Sequence, residues 1–452
     1  MSKYSTDKKT TNEMSDKDIL MYLHEKAFYF FLEQVNEENG LVIDKSQEGT
    51  PSSIAVVGLA LASYISGVER GLMTREDAVK RTLTTMRFFY NSEQSESPEA
   101  TGYKGFYYHF LDMKTGKRVW ESELSSIDTA LLIAGMITAH CYYTNDTDDE
   151  KEIRFLADEL YRRVDWAWML NDGLTLSHGW LPESGFLSYH WSQGYNEAMI
   201  LYILALGSPT YPIGIDGYRE WLSTFEWKER YGIEHLYAGP LFIHHFTHMW
   251  IDFRGIMDDF NRKVGIDYFE NSRRATLIQQ QYAIENPNNF KMYGKYAWGL
   301  TASDGPGPCT RTVDGRKVVF YNYISRGVDG PDDGTISPWA VAASLPFAPD
   351  IVLDTMRHIA EKLDLLHNEE HGLHAGFNPT FPDKKPGANG WVSPWHYGLN
   401  QGPVVIMIEN YMTGLFWKIL RECPYISKGL SAAGFTGGWL DKQKRTTANE
   451  ND

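Results

Sequence analysis

Three acidic residues lie beside aromatic residues at points where apolar segments begin. Glu123 and Asp128 belong to the run W-E-S-E-L-S-S-I-D, and Glu197 ends the run W-S-Q-G-Y-N-E. Cleavage of a glycosidic bond normally requires two carboxyl groups, one as general acid and the other as base or nucleophile. Aromatic side chains such as Trp191 and Tyr195 offer apolar area with a polar edge, which suits the face of a sugar. These residue types at this spacing are therefore compatible with a carbohydrate-active enzyme.

Each of these acids also has a structural interpretation. Ser125 and Asp128 fit the spacing of a helix capping box, and a carboxylate in the first turn interacts favourably with the helix dipole. A helix N-terminus would lower the pKa of the Glu197 carboxyl, whereas burial among aromatic side chains would raise it. From the sequence, both interpretations of these acids stay open.

Two further acids, Glu409 and Asp304, have sequence neighbours that predict their surroundings. Glu409 interrupts the apolar run V-V-I-M-I-E-N-Y-M. Because a buried charge requires a partner, we expect a structural ion pair with an arginine such as Arg254. Asp304 lies in the segment S-D-G-P-G-P, which is typical of a turn and is equally compatible with a loop at a binding site.

The sequence lacks the usual motifs for metals and nucleotide cofactors. His244, His245 and His248 form H-H-x-x-H, without the glutamate of the zinc motif H-E-x-x-H. The segment D-G-P-D-D-G lacks the spaced ligands and the terminal glutamate of a calcium loop. Since P-loop, G-x-G-x-x-G and G-x-S-x-G motifs are also missing from the sequence, we expect no metal and no cofactor.

Charge and composition narrow the possible partners. The 43 basic and 59 acidic side chains give a net charge of -16, which disfavours nucleic acids and anionic membrane surfaces. No apolar run is long enough to span a bilayer. We expect an oligo- or polysaccharide substrate, while the oligomeric state is left open. The polar start of the chain has no signal-peptide core, so the expected location is cytoplasmic, or periplasmic or secreted if a signal peptide was removed.

The elements that must position the acids are two kinds of helical segment, which alternate along the chain. One kind is amphipathic and predicts outer helices: Asp16–Val35, Arg75–Tyr90, Lys151–Leu170, Ile215–Phe225, Asp267–Ile284 and Ile351–Leu366. The other kind is mostly apolar on every side and predicts helices surrounded by protein: Ser53–Ile65, Ser125–Ala139, Tyr195–Leu206, Gly239–Ile251, Ile336–Leu345 and Pro403–Leu420. Twelve helices in this alternation predict an all-α fold, the (α/α)6 barrel.

The segments between these helices predict the place of the site. Residues 16–440 contain no long linker and are expected to form one domain, with a disordered leader at 1–15 and a polar tail at 441–452. Short strands are expected only in loops, at Gly105–Leu111 and Val318–Tyr323. Long aromatic-rich loops precede the inner helices and should meet at one mouth of the barrel: Tyr103–Trp120, Leu176–Gln193, Tyr293–Ser337 and His371–Gln401.

Several long motifs resemble the bacterial glycoamylase-like family, which includes β-1,2-glucanases and the matching domain of cyclic β-1,2-glucan synthases. They are W-E-S-E-L-S-S-I-D-T-A-L-L-I-A-G, W-S-Q-G-Y-N-E-A, N-S-R-R-A-T, Y-G-x-Y-A-W-G-L-T-A-S-D-G-P and L-N-Q-G-P-V-V-I-M-I-E-N-Y. The resemblance extends from about Asp16 to Leu440. It implies an (α/α)6 barrel that hydrolyses β-1,2-linked glucose polymers and releases short sophoro-oligosaccharides.

The resemblance also implies roles for individual residues. It places the catalytic acids at Glu197, Asp128 and Glu123, with Glu197 as general acid and one of the other two as base or water-positioning residue. The implied substrate-binding residues are Trp191, Tyr195, Trp298, Asp304, Trp395 and His396.

Two other functions fit the same barrel. A sugar epimerase or isomerase would use a pair of histidines at the mouth, and His244, His248, His374 and His396 are its candidates. A non-catalytic glucan-binding protein would keep the aromatic groove but would lack two carboxyl groups facing each other across it.

Overall fold

The computed structural model describes residues 14–363, 370–382 and 390–442, and helices dominate this part of the chain. The helices are α1 Asp16–Glu33, α2 Ile54–Glu69, α3 Arg75–Asn91, α4 Ser126–Tyr142, α5 Asp148–Arg163, α6 Met199–Gly207, α7 Ile215–Ser223, α8 Phe242–Phe246, α9 Asp259–Val264, α10 Tyr268–Glu285, α11 Pro338–Ala343, α12 Pro349–His358, α13 Gly398–Met412, α14 Leu415–Arg421 and α15 Pro424–Ala432. Most of the predicted leader, the end of the tail and Leu366 lie outside the described residues.

Six of these helices form the inner ring of the predicted (α/α)6 barrel, which is confirmed. They are α2, α4, α6, α8, α11 and α13, and each lies within or overlaps one of the six segments predicted to be apolar on every side. Helix α2 packs between α4 and α13, α4 also contacts α6, and α13 also contacts α11. All nine residues of α6 are buried, as expected for a helix that faces protein in every direction.

The two inner helices α2 and α4 approach each other at a pair of glycines. A Cβ atom added at Gly58 would lie 2.3 Å from the backbone oxygen of Leu131, and one added at Gly135 would lie 2.2 Å from the oxygen of Gly58. Because a side chain at either position would collide with backbone, these glycines set the distance between α2 and α4, the helix that begins beside the site.

The outer helices cover this ring with one apolar face each. In α5, Ile153, Leu156 and Leu160 are buried, at the three- and four-residue spacing of a single helix face. Its first turn carries acidic residues and its last turn carries Arg162 and Arg163, which complements the helix dipole. The amphipathic segments therefore form the solvent-facing layer.

Several predicted helices have other bounds in the structure, such as Lys151–Leu170, which ends at Arg163, and two are divided or much shortened. The segment Pro403–Leu420 was predicted as one helix, but the chain starts α13 earlier, at Gly398, and divides into α13 and α14. The division falls at Gly414, whose φ of 71° is left-handed, a conformation that ends a helix and favours glycine. The segment Gly239–Ile251 contains only the five-residue helix α8, followed by turns.

The partner predicted for the buried acid Glu409 was wrong. Its carboxylate, 1 % exposed, accepts hydrogen bonds from Arg70 Nε at 2.6 Å and from another guanidinium nitrogen of Arg70 at 3.0 Å. Ser66 and Thr413 also donate to it. Arg254 instead pairs with Asp252. The ion pair is structural, as expected, but it joins α13 to the end of α2.

Strands are short and lie in the loops. They are β1 Ser52–Ser53, β2 Gly102–Tyr103, β3 Phe106–Tyr107, β4 Phe110–Leu111, β5 Leu124–Ser125, β6 Gly179–Leu181, β7 Gly185–Phe186, β8 Trp227–Arg230, β9 Ile233–Leu236, β10 Ala302–Ser303, β11 Cys309–Val313, β12 Arg316–Phe320, β13 Ile324–Ser325, β14 Phe377–Asn378 and β15 Trp391–Val392. Strands β3 and β4 fall in the first segment predicted to contain strands, and β12 overlaps the second. Among the described residues, the helices are all too short or too polar to cross a membrane.

Candidate active site

A cavity of about 230 Å³ lies where the inner helices begin. Helices α4, α8, α11 and α13 each contribute residues of their first turns, and the loops contribute the remainder. The lining residues are His109, Ile127, Asp128, Leu131, Glu197, Phe242, Phe246, Ala302, Tyr323, Trp339, Leu399 and Asn400. Two of the acids singled out in the sequence, Asp128 and Glu197, therefore border the same space.

A histidine links the first two acids. His109 Nδ1 lies 3.0 Å from Glu123 Oε1, and its Nε2 lies 3.6 Å from Asp128 Oδ2. A β-bridge between Tyr108 and Leu124 brings the two chain segments together, and the His109 amide donates to the Glu123 carbonyl oxygen at 2.9 Å. The pairing of these loop segments thus positions both ends of the Glu123–His109 contact.

The helix-capping interpretation of Asp128 describes only part of its environment. The Asp128 amide donates to Ser125 Oγ at 3.1 Å, which confirms the predicted N-cap of α4. The Ser125 hydroxyl in turn donates to Asp128 Oδ2 at 2.5 Å. Since the Asp128 side chain is also 10 % exposed and contacts His109, the N-terminus of α4 fixes the carboxylate at the cavity wall.

The two carboxylates keep His109 charged. Burial disfavours the imidazolium, but Asp128 and Glu123 more than offset this cost and raise the pKa of His109 to about 9. For Glu123, burial acts to raise the pKa, and the hydrogen bond and charge of His109 outweigh it, so that the pKa is lowered. Near neutral pH this group therefore consists of an imidazolium cation with at least one carboxylate anion.

Asp44 is a fourth titratable group, and it interacts with His109 and Asp128, which together with Glu123 form the His109 cluster. Burial raises the pKa of Asp44 to about 6, although the positive charge of His109 acts in the opposite direction. Asp44 lies in the loop between α1 and α2, and its carbonyl oxygen accepts the Gly398 amide at 2.8 Å, which holds it beside the start of α13.

The pKa of Glu197 is shifted in the opposite direction to that of Glu123. Burial raises the pKa of Glu197 to about 7, its own backbone amide lowers it only in part, and the charge of Asp128 raises it further. Burial is the largest influence on this pKa, and Glu197 lies in the turn before α6, which begins at Met199 and not at the predicted Tyr195, so its carboxyl is not in the first turn of that helix. The cavity is therefore lined by one carboxyl group that titrates near pH 7 and by His109, whose partner Glu123 has a lowered pKa.

Two of the aromatic residues expected to bind substrate pack behind the cavity wall. Trp191 is 7 % exposed, its Nε1 donates to Ser126 Oγ at 2.9 Å, and its ring stacks on His178 at 3.8 Å. Tyr195 is 5 % exposed and stacks on Tyr268 at 5.5 Å. It also lines a second space of about 410 Å³ between residues 193–195, 237–243 and 325–331.

Asp304, Trp395 and His396 meet at the loop before α13. Ser393 connects the first two, because its hydroxyl donates to Asp304 Oδ2 at 2.8 Å and accepts the Trp395 amide at 3.4 Å. His396 is 6 % exposed and stacks on His374 at 4.5 Å. The charge of Asp304 contributes to the raised pKa of Tyr323, which lines the cavity, so Asp304 lies near the site.

Trp298 does not join this group. Its side chain is 1 % exposed and its Nε1 donates to Thr355 Oγ1 of α12 at 2.9 Å. The indole is part of the packing between the inner and outer rings and has no face available for a sugar. Its position therefore argues against the substrate-binding role that the resemblance implied.

The histidines offered for an epimerase do not form a pair at the cavity. His244 and His248 are fully buried, and burial lowers the pKa of each to about 3. Burial and the neighbouring histidines likewise lower the pKa of His396 to about 3. None of these residues lines the cavity that holds Asp128 and Glu197.

Sequence reasoning missed His109, Asp44 and Tyr323. His109 lies in an aromatic-rich loop that was expected at the mouth, but a single histidine among aromatic residues carries no motif.

His109, Glu123 and Asp128 also bring their ligand atoms within 4.8 Å of one another, as a divalent cation would require. A metal needs a neutral imidazole, whereas the surrounding carboxylates favour the protonated form of His109.

The fold is an α/α barrel, with a carboxyl group of raised pKa and an ion-paired carboxylate close to one cavity at the start of its inner helices. A family model described as "Putative glucoamylase" matches residues 188–424, slightly more than half of the chain. The protein belongs to this glycoamylase family.

Individual relatives support the same assignment. The exo β-1,2-glucooligosaccharide sophorohydrolase (non-reducing end) of Parabacteroides distasonis is 29 % identical over 93 % of this chain, which spans 58 % of the length of that relative. A crystal structure described as a "putative glucoamylase" from Bacteroides uniformis is 33 % identical, with a TM-score of 0.83, and covers 94 % of this chain and 99 % of its own. An endo-β-1,2-glucanase from Chitinophaga pinensis, in complex with sophorotriose and glucose, is 26 % identical, with a TM-score of 0.79, and covers 94 % of this chain and all of its own.

Proposed function

We propose that the protein is a glycoside hydrolase that cleaves β-1,2-linked glucan or its oligosaccharides. The observation that carries the proposal is the contrast between Glu197, which lines the cavity, and Glu123, which pairs with the cavity-lining His109. Glu197 still carries a proton in part of the molecules at neutral pH, because burial raises its pKa to about 7, while Glu123 is ionised beside His109. This is the pairing of acid and base that glycoside hydrolysis requires.

In the proposed reaction, Glu197 donates its proton to the glycosidic oxygen as the C–O bond breaks. A carboxylate of the His109 cluster, Asp128 or Glu123, accepts a proton from the water that attacks the anomeric carbon. The positive charge and hydrogen bond of His109 lower the pKa of Glu123, which keeps that carboxylate ionised. After the reaction, the base releases its proton to solvent and Glu197 takes one up, which its pKa of about 7 permits near neutral pH.

The β-1,2 linkage comes from the relatives. The named enzymes from Parabacteroides distasonis and Chitinophaga pinensis act on β-1,2-linked glucose chains, and the structures match over at least 93 % of this chain. We include Asp304, Trp395 and His396 in the proposed substrate-binding surface, and Trp191 and Tyr195 as residues that support the wall beside it.

A substrate panel tests the proposal. We expect reducing ends to appear from linear β-1,2-glucan and its oligosaccharides, and little or none from β-1,3-glucan, β-1,4-glucan or starch. Asp128→Asn and Glu123→Gln should each reduce the rate strongly, whereas Asp165→Asn, which alters a partly exposed ion pair with Lys104, should not. If the parent protein releases no sugar from any β-1,2-linked substrate, the proposed function is wrong.

A further inference from the structure

An unusual turn lies on the hairpin that carries the His109 cluster. Leu111 pairs with Arg118, and the Val119 amide donates to the Phe110 oxygen at 3.1 Å. The next backbone hydrogen bond of the hairpin joins His109 to Glu123. The residues between Val119 and Glu123 therefore protrude from the paired strands.

The protruding residues form a turn with a disfavoured backbone. The Ser122 amide donates to the Val119 oxygen at 3.1 Å, and the two central residues, Trp120 and Glu121, have φ values of 56° and 49°. Positive φ at both central positions is the feature of a type I′ turn, which normally contains asparagine, aspartate or glycine. Every other adjacent pair of left-handed residues in the described part of the chain contains glycine or is Asn-Asp.

Neither strain nor solvent exposure favours tryptophan at this position. The Trp120 side chain is 64 % exposed, so it gains little from burial while its backbone is strained. Arg118 stabilises the turn. Its side chain is 3 % exposed, its Nε donates to the Ser122 oxygen at 2.6 Å, and it also pairs with Glu183. Strained residues held by well-ordered surroundings are typical of functional sites.

The Trp120 indole is the outermost of three rings in contact, and the innermost of them is His109. Trp120 lies 5.0 Å from Phe110, centroid to centroid, and Phe110 stacks on His109 at 4.0 Å with an interplanar angle of 14°. His109 contacts both Glu123 and Asp128. Trp120 is therefore an exposed ring, held by the same hairpin as His109 and Glu123 and only one ring away from His109.

We propose that Trp120 is a binding platform for a glucosyl unit of the substrate chain outside the bond being cleaved. The proposal rests on the proposed function, since a β-1,2-linked chain in the cavity beside His109 would extend over Trp120. The strained turn presents the open face of the indole to solvent, where it can cover the apolar face of a glucose ring. Trp120 thus makes the enzyme prefer longer chains.

The variant Trp120→Gly separates this role from a structural one. Glycine suits the left-handed turn, so the melting temperature should stay the same or rise. The KM for long β-1,2-glucan should increase about 3- to 10-fold, the range expected for one aromatic stacking contact, and more than the KM for the shortest oligosaccharide cleaved. Trp120→Phe should recover most of the loss. Phe155→Ala, which removes another exposed ring from the outer helix α5, should leave both KM values unchanged.

The outcomes distinguish the two proposals. An active parent protein with the same KM in Trp120→Gly for all chain lengths would overturn the role of Trp120 and leave the proposed function intact. A lower melting temperature together with equal losses on short and long chains would show a structural role instead. If the parent neither hydrolyses β-1,2-glucan nor binds it in calorimetry, both proposals fail.

Discussion

Substitution of Glu197 by glutamine should make the protein more stable at high pH while it removes the proposed acid. The pKa of Glu197 rises from 4.5 to about 7, chiefly through burial, and each pKa unit corresponds to about 1.4 kcal/mol. Burial of the ionised carboxyl therefore costs about 3 kcal/mol. Because the folded-state pKa is raised, stability from this group is complete below pH 4.5 and is lost as the pH rises through 7.

The test compares parent and variant by urea denaturation at two pH values. Glutamine mimics the neutral carboxyl, so at pH 8 Glu197→Gln should have a free energy of unfolding higher than the parent by about 2–3 kcal/mol. At pH 5 the advantage should shrink to under about 1 kcal/mol. Glu152→Gln, in an exposed pair with Arg87, provides the control and should not gain stability at pH 8. An advantage of Glu197→Gln that is the same at both pH values would refute the reasoning.

Three further substitutions test the fold and the charge cluster. Arg70→Met should lower the free energy of unfolding by about 3–5 kcal/mol, measured in urea, because it leaves the 1 % exposed Glu409 without its cationic partner. Gly58→Ala should lower the melting temperature markedly, since its Cβ would lie 2.3 Å from a backbone oxygen of α4. His109→Gln should destabilise the protein at pH 6 but much less at pH 9.5, because the pKa of His109 is raised to about 9 by its carboxylate partners despite burial. Stability from this raised pKa is complete below 6.5 and is lost as the pH rises through 9. In the pH profile of the parent enzyme, kcat/KM should decline about tenfold per pH unit above 7, as Glu197 loses its proton.

Matched variants make these outcomes specific. Arg87→Met breaks an exposed ion pair and should cost under about 1 kcal/mol, so an equal loss in Arg70→Met would contradict the buried-pair interpretation. Gly294→Ala changes a glycine without a left-handed backbone, whose added Cβ would lie 3.9 Å from the nearest atom, and serves as the control. A pH-independent loss in His109→Gln would show that the ring contributes packing rather than charge.

The sequence predicts the barrel because the two rings differ in hydrophobicity over whole helices. Segments such as residues 53–65 are apolar on every side, and this property survives any change in loop conformation. The ends of helices were less predictable. The break at Gly414 depends on one left-handed residue, and the shortness of α8 depends on packing that a hydrophobic pattern does not describe.

The contacts of the site were predictable only where they are local in the chain. Ser125 and Asp128 are three residues apart, so their cap could be read from spacing. The partner of Glu409 is 339 residues away at Arg70, and the sequence offered no reason to prefer it to Arg254. His109 was missed for the same reason, since its role arises only when a hairpin places it between two carboxylates.

A comparison of leaving groups tests whether Glu197 donates the proton to the leaving oxygen. An acid catalyst is needed for a sugar leaving group but not for an acidic phenol. We predict that Glu197→Gln loses at least about a thousandfold in kcat/KM on β-1,2-glucan, but less than about tenfold on an aryl β-sophoroside with a good leaving group. Equal losses on both substrates, or full activity of Glu197→Gln on the glucan, would contradict the account.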